Sequence, residues 1–156
     1  MSMREIVFEV PGKVQGKGRP RFTKDGHAFT PSSTRMYERE ILKAFRAAGG
    51  TKLSGPLHVD IEAVYGIQRT ATKAERLRRL NGDELALKKP DTDNIEKIVY
   101  DALNGIAYED DAYIVSTRTI KGRYEEKPRL IVRVREIETR DVEIFHGYMW
   151  GDRDGL

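Results

Sequence analysis

Four segments of the chain have apolar patterns typical of β-strands, and the clearest is residues 57–65, where apolar and polar residues alternate with a period of two. The segments are residues 6–10, 57–65, 112–124 and 129–138. A short hairpin is predicted over residues 22–30, because Asp25-Gly26 is a favoured dipeptide for a tight turn. The last two long strands follow one another across residues 122–128 with no helix between them.

Two other segments repeat their apolar residues every three or four positions, which predicts amphipathic helices. The first begins near residues 32–34 and ends at about Ala48, before Gly49-Gly50. The second runs from Asp93 to Asn104. The charge-dense stretch 69–89 is interpreted either as containing a short helix over 72–80 or as a solvated insertion.

These elements favour an α+β fold in which a mixed β-sheet packs with two main helices in one small domain. We place the domain at residues 1–140. Residues 141–156 are expected to form a loose tail or a partner-binding arm.

Composition narrows the chemistry available to this domain. The 156 residues include no Cys and three widely spaced His, which excludes a disulfide framework, a Cys-based zinc site and a thiol nucleophile. Any metal must therefore be held by Asp and Glu. No apolar run approaches the ~20 residues of a membrane span, and no signal peptide is visible, so we expect a cytoplasmic protein. The 28 basic residues nearly cancel the 25 acidic ones, so the net charge of +3 does not identify a partner.

The segment 88–97, Lys-Lys-Pro-Asp-Thr-Asp-Asn-Ile-Glu-Lys, contains the most informative candidate chemistry. Asp91 and Asp93 stand two residues apart where a helix begins, so their carboxylates can converge on one hard cation such as Mg²⁺. Lys97 lies one helical turn beyond Asp93 on the same face. A second acidic group, Glu109-Asp110-Asp111, follows the helix. If the chain is extended there, only one of its last two carboxylates reaches the site.

The same residues also have structural interpretations. Asp93 and Glu96 form a good helix N-cap pair, and Lys97 can pair with Asp93 across one turn. The acidic group 109–111 can be a solvated turn.

Two further patterns are interpreted as coincidental. Pro90-Asp91 followed by Glu125-Glu126-Lys127 superficially fits the PD…ExK nuclease signature, but its second part falls in a turn beside Pro128 rather than on a core strand. Asp152 and Asp154 form another spaced pair in the tail, where no catalysis is expected.

The ordered combination of motifs resembles the RusA family of Holliday-junction resolvases, which are small endonucleases of bacteria and their phages. The matching segments are Lys-Pro-Asp91-x-Asp93-Asn94-x-x-Lys97, Asp101-Ala102-Leu103-Asn104-Gly105, Glu109-Asp110-Asp111, the early Gly16-Lys17-Gly18-Arg19-Pro20-Arg21-Phe22, and the helix around Tyr37–Ile41. The resemblance extends over about residues 5–136 and implies a RusA-like domain.

The resemblance implies roles for individual residues. The metal ligands would be Asp91, Asp93 and Asp111, and Lys97 would assist cleavage. The residues expected around the ligands are Asp110, Asp101 and Asn94. Many relatives follow the Asp pair with a small residue and Gln, whereas this chain has Ala112-Tyr113, so no role of that Gln is transferred.

The resemblance also implies a cofactor and partners. Mg²⁺ is expected, with Mn²⁺ as a substitute, in a homodimer that nicks two strands of a four-way DNA junction symmetrically during recombination and repair. The source is expected to be a bacterium or a resident prophage. Two alternatives stay open: a non-catalytic basic DNA-binding protein, and a nuclease of the same fold that prefers flaps or forks.

Clustered basic residues indicate where DNA would bind, because phosphate contacts supply most non-specific affinity. The predicted DNA-binding residues are Lys13, Lys17, Arg19, Arg21, Lys24, Lys88 and Lys89. Further basic residues between 69 and 79 form either a second track or a solvated face.

Overall fold

The computed structural model describes residues 2–151, so the predicted Asp152/Asp154 pair lies outside the described residues. The elements in chain order are β1 (Glu5–Pro11), β2 (Arg21–Phe22), β3 (Ala28–Phe29), α1 (Ser32–Ala47), β4 (Leu57–Gly66), α2 (Lys73–Leu80), α3 (Thr92–Leu103), β5 (Ile114–Glu125), β6 (Arg129–Glu136) and α4 (Thr139–Trp150). A 3₁₀ turn, Asp111–Tyr113, precedes β5. The α+β class and both main helices are confirmed.

Four strands form a mixed sheet in the order β1-β6-β4-β5. Strand β6 is antiparallel to β1 and β4, whereas β4 and β5 are parallel. The two consecutive strands β5 and β6 therefore do not pair with each other, because β4 lies between them. The predicted hairpin is present as β2 and β3, with Gly26 in the left-handed conformation (φ +83°) that its turn requires.

Helices α1 and α3 pack together and cover one face of the sheet, α1 over β1 and α3 over β5. The register aligns Phe8, Val132 and Ile61 across three strands, and all three are buried beneath the helices. Burial of these apolar side chains stabilises the domain and fixes the position of α3. The sheet thus provides a rigid base for the helix that contains the predicted catalytic residues.

The opposite face of the sheet is polar in its centre. Val7, Arg133 and Asp60 align there, and the guanidinium of Arg133 donates to Asp60. At one end, the Phe145 ring of α4 lies 5.3 Å from the His58 ring. The expectation of a loose tail is therefore wrong for residues 141–150, which continue helix α4, since Phe145 packs on the sheet.

The end of β6 is tied to the N-terminus by a buried acid. Glu136 is 8% exposed and accepts hydrogen bonds from the backbone N–H groups of Arg4 and Ser54, at 2.9 and 2.8 Å. Burial alone would raise its pKa, but these bonds and the Arg4 guanidinium outweigh it and lower the pKa of Glu136 to about 2.

Helix α2 confirms the helical alternative for residues 72–80. Thr72 and Glu75 form a reciprocal capping box, which satisfies free backbone N–H groups at the helix start. Of the helices within residues 2–151, none is long and apolar enough to cross a membrane.

Candidate active site

Helix α3 presents predicted catalytic residues on its exposed side. Its buried residues are Ile95, Ile98, Val99, Ala102 and Leu103. Asp93, Lys97 and Asp101 follow at intervals of four residues and are exposed on the other side of the helix. The ion pairs around α3 involve other lysines, so within residues 2–151 the ammonium of Lys97 has no carboxylate partner.

The start of α3 differs from the predicted N-cap pair. Asp91 occupies the N-cap position, the helix begins at Thr92, and no side chain caps it. Glu96 instead accepts a hydrogen bond from the Thr119 hydroxyl of β5 at 2.6 Å. The predicted Asp93–Glu96 cap is therefore wrong, because Glu96 is directed to the neighbouring strand. The carboxylate of Asp93 stays exposed to solvent.

Asp91 lies among positive charges at the N-terminal end of α3. The Lys89 ammonium donates to its Oδ2 at 2.8 Å, and Lys121 of β5 lies near enough to act on it electrostatically. The hydrogen bond from Lys89, helped by both positive charges, holds the pKa of the Asp91 carboxyl below its usual value. Asp91 is thus ionised at neutral pH, which is the state required of a cation ligand.

The backbone segment 88–90, just before Asp91, is held by two residues that the sequence patterns did not indicate. Lys121 donates from Nζ to two carbonyl oxygens of this segment. The Tyr65 hydroxyl lies 3.1 and 3.3 Å from two of its carbonyl oxygens. For Lys121, the sequence signal is the alternation of side chains along β5, which places Lys121 on the same face as Thr119, toward α3.

Asp111 lies at the other end of α3, where its backbone N–H donates to the Asn104 side chain at 3.1 Å. A hydrogen bond shared with Asp110 is the main cause that raises the pKa of the Asp111 carboxyl. Burial and the negative charges of Asp110 and Asp101 add to it. Asp110 also caps the 3₁₀ turn by accepting from the Ala112 N–H at 2.8 Å. Negative charge is therefore concentrated at this end of the helix.

The three predicted metal ligands do not converge within one chain. Asp91 and Asp93 stand at the start of α3, whereas Asp111 follows its end. A helix of 12 residues is about 18 Å long. Within residues 2–151, no three Asp, Glu, His or Cys side chains are grouped so that they could hold a metal ion. One chain offers two separate acidic positions, and the metal-binding role of each stays a prediction.

The N-terminal loop packs closely against the start of α3. The backbone N–H of Lys17 donates to the carbonyl of Asn94 at 3.0 Å. A Cβ atom on Gly16 would lie only 2.7 Å from the Cβ of Pro90, so this approach requires glycine. Asn94 thus joins the loop to the helix through its backbone.

The ammonium of Lys17 ties this loop to both main helices. It lies 2.7 Å from Glu38 of α1 and 2.9 Å from Asp101 of α3. Burial alone would lower the pKa of Lys17, but the two carboxylates outweigh it and raise the pKa. Two residues that the sequence assigned to different roles, Lys17 to DNA and Asp101 to the metal site, therefore form one ion pair.

The other predicted DNA-binding residues are exposed. They are Lys13, Arg19, Arg21, Lys24, Lys88 and Lys89. The second basic track is partly neutralised, since Arg76 pairs with Glu126 at 2.8 Å. Glu125, the other acid of the coincidental ExK match, pairs with Arg129.

Comparison with known proteins identifies the family of this chain. The uncharacterized protein YqaN of Bacillus subtilis (strain 168) is 30% identical over 139 residues, covering 85% of this chain and 96% of that protein. Residues 11–135 match the family described as Endodeoxyribonuclease RusA. The match extends from the end of β1 almost to the end of β6 and includes both acidic ends of α3. The resemblance inferred from the motifs is confirmed, and the chain belongs to the RusA family of endodeoxyribonucleases.

Proposed function

We propose that this protein is a Mg²⁺-dependent endonuclease that resolves four-way DNA junctions by paired, symmetric nicks in recombination and repair. The exposed side of α3 is the observation that carries the proposal. On that side Asp93 is aligned with Lys97, which has no carboxylate partner among residues 2–151, and the ionised Asp91 lies next to them. The chain belongs to an endodeoxyribonuclease family.

The available ligands suit Mg²⁺, which prefers oxygen and needs only one or two carboxylates beside water and a substrate phosphate. Asp91, Asp93 and Asp111 are accessible to solvent, and the chain contains no Cys. The raised pKa of Asp111 supports the assignment, because a nearby cation relieves repulsion between acids. When bound, Mg²⁺ would neutralise charge on the scissile phosphate and acidify the attacking water, with Mn²⁺ as a substitute.

The lysines near α3 would divide two tasks. Lys97 is exposed one turn from Asp93, so its ammonium can stabilise negative charge that builds on the phosphate oxygens. Lys89 stabilises the ionised form of Asp91 through its hydrogen bond. Exposed Arg19 and Arg21 would hold DNA phosphates beside the loop that packs on α3.

A homodimer would unite the acidic positions that lie apart in one chain. A twofold axis that sets two α3 helices antiparallel would place Asp111 of one subunit opposite Asp91 and Asp93 of the other. It would do so twice, which gives two equivalent sites. Two equivalent sites are what paired, symmetric nicking requires.

A cleavage assay on four-way, flap, fork and linear duplex DNA, with and without Mg²⁺, tests the activity. We expect symmetric nicks in the four-way junction alone, lost on chelation and in Asp91→Asn or Asp111→Asn. Binding without nicking would identify a non-catalytic DNA-binding protein, and preferred cleavage of flaps or forks would identify the other alternative.

Mixing inactive variants tests the arrangement of subunits. If each site takes acids from both chains, a dimer of one Asp91→Asn and one Asp111→Asn subunit keeps one complete site. Random mixing should then restore about a quarter of the wild-type sites. Recovery should be absent when Asp91→Asn is mixed with Asp93→Asn, because both variants damage the same half of the site. No recovery in the first mixture would show that each site belongs to one chain.

A further inference from the structure

A cavity of about 370 Å³ opens beside the segment that precedes Asp91. It lies between the end of β4, the N-terminal loop, residues 88–89 and the turn before β6. This volume is within the range of roughly 300–1,000 Å³ that is typical of sites for small organic groups.

The lining combines a flat apolar surface with positive charge. Val14 and Pro128 provide apolar walls, Tyr65 an aromatic ring and Gln68 an amide. Lysines 13, 88 and 89 also line the cavity, against the single acid Glu126, which is already paired with an arginine. Such a lining suits a ligand with a planar, weakly polar part and an attached anion.

The cavity and the candidate active site share a wall. The Tyr65 hydroxyl contacts the carbonyl oxygens of Lys88 and Lys89, and the ammonium of Lys89 lies 2.8 Å from Asp91. A strand whose scissile phosphate lies at Asp91 therefore has its neighbouring nucleotide within reach of the cavity.

We propose that this cavity receives one unstacked nucleotide of the DNA strand next to the scissile phosphate, with its base against Tyr65 and its phosphate on the lysines. The inference rests on the proposed function, which places DNA at Asp91. Nucleotides at the crossover of a branched substrate are easier to unstack than those within a duplex, and aromatic rings with nearby cations are the usual receptors for such bases. The amide of Gln68 offers both donors and an acceptor to the edge of the base.

Photocrosslinking identifies the occupant directly. Junctions with 5-iodouracil at one position at a time around the nick site are bound in EDTA, irradiated and analysed by mass spectrometry. We expect a crosslink to Tyr65 from a single position beside the scissile phosphate. Crosslinks that fall only elsewhere on the protein, or none from any position, would overturn the proposal.

A cavity-filling variant gives a second readout. Gln68 is exposed at the rim, so Gln68→Trp should fill the cavity without disturbing the core. Because stacking of one base contributes a factor of about 5 to 150 in affinity, junction binding should weaken by that factor and the crosslink should disappear. Thr70→Trp, an exposed site outside the cavity, is the matched control and should bind as wild type.

The outcomes separate this inference from the proposed function. Nicking with Mg²⁺, but no Tyr65 crosslink and wild-type affinity in Gln68→Trp, would overturn the cavity proposal alone. A Tyr65 crosslink from a single position without nicking would retain an unstacked nucleotide in the cavity and remove the catalytic assignment. Absence of any DNA binding would remove both.

Discussion

Replacing Lys17 with Met removes an ammonium while keeping most of the side chain, and it separates a role in the fold from a role in DNA binding. The Lys17 side chain is 17% exposed, with Nζ 2.7 Å from Glu38 and 2.9 Å from Asp101. A hydrogen bond between charged groups contributes about 1.5–3 kcal/mol, so two of them contribute about 3–6 kcal/mol, and the partial exposure of both carboxylates reduces that sum. We expect Lys17→Met to lower the free energy of unfolding by about 2–3 kcal/mol. For a domain of this size the unfolding temperature should fall by roughly 4–12 °C.

DNA affinity should respond differently. We expect an ammonium that is already held by two carboxylates to make no phosphate contact, so the dependence of log K on log salt should stay unchanged in Lys17→Met. Arg19→Gln, which removes an exposed charge, should reduce that slope by about 0.9. Urea unfolding measures the first effect, and fluorescence anisotropy with a labelled junction in EDTA at several salt concentrations measures the second.

Lys17→Arg is the matched control for both measurements, because it keeps the charge and should recover part of the stability. Wild-type stability of Lys17→Met, together with a salt slope lower by about 0.9, would refute this reasoning and assign Lys17 to a phosphate.

Lys121→Met should slow nicking roughly 10- to 100-fold with unchanged junction affinity, because segment 88–90 loses the hydrogen bonds that hold it. Lys127→Met, in the exposed turn after β5, is the control and should nick normally; single-turnover assays compare the two variants. Asp111→Asn should raise the thermal unfolding midpoint at pH 7, because it removes a carboxylate whose pKa is raised by neighbouring acids. This gain should vanish at low pH, where the wild-type carboxyl is protonated. Scanning calorimetry measures the midpoint, and no gain at pH 7 would disprove the prediction. Glu136→Gln should lower the free energy of unfolding by about 1–3 kcal/mol at pH 7. Because the folded-state pKa of Glu136 is lowered from 4.5 to about 2, the extra stability of the wild type should be complete above pH 4.5 and disappear as the pH falls toward 2. Urea unfolding at several pH values measures this difference in stability, and a difference that does not change with pH would contradict the prediction.

Local patterns predicted the two main helices, α1 and α3, well because a helix is specified by residues three or four apart. The apolar spacing from Ile95 to Ala102 places α3 within one residue of its observed bounds. The pairing of the strands was harder to predict, since alternation shows which residues share a face of the sheet but not which strands are neighbours. The insertion of β4 between β5 and β6 depends on contacts between distant residues. Helix α4 was not predicted, because its apolar residues do not form one buried face. Phe145 packs on the sheet, whereas the neighbouring apolar side chains of the helix are exposed.

The residues of the candidate site also differ in whether a local sequence pattern could predict them. The motif from Asp91 to Lys97 is continuous in sequence, so its residues and their shared helix face could be predicted. Lys121 and Tyr65 act on segment 88–90 from separate strands. Alternation along β5 indicates the face on which Lys121 lies, but no local pattern indicates the segment that it contacts. The ion pairs of Lys17 were equally hidden, because an isolated basic loop is predicted as solvated until its carboxylate partners are known.

The length of α3 sets how far apart its two acidic ends can be, and that length cannot vary continuously. Each added residue extends the helix by about 1.5 Å but also turns it by about 100°. Since one side of α3 must keep its apolar residues in the core, only insertions close to whole turns, such as seven residues or about 10 Å, preserve both the packing and the exposed motif. In a twofold dimer the same increments would fix the distance between the two sites. If the protein acts on branched DNA as such a dimer, the branch geometry that it accommodates would change only in steps of whole helical turns.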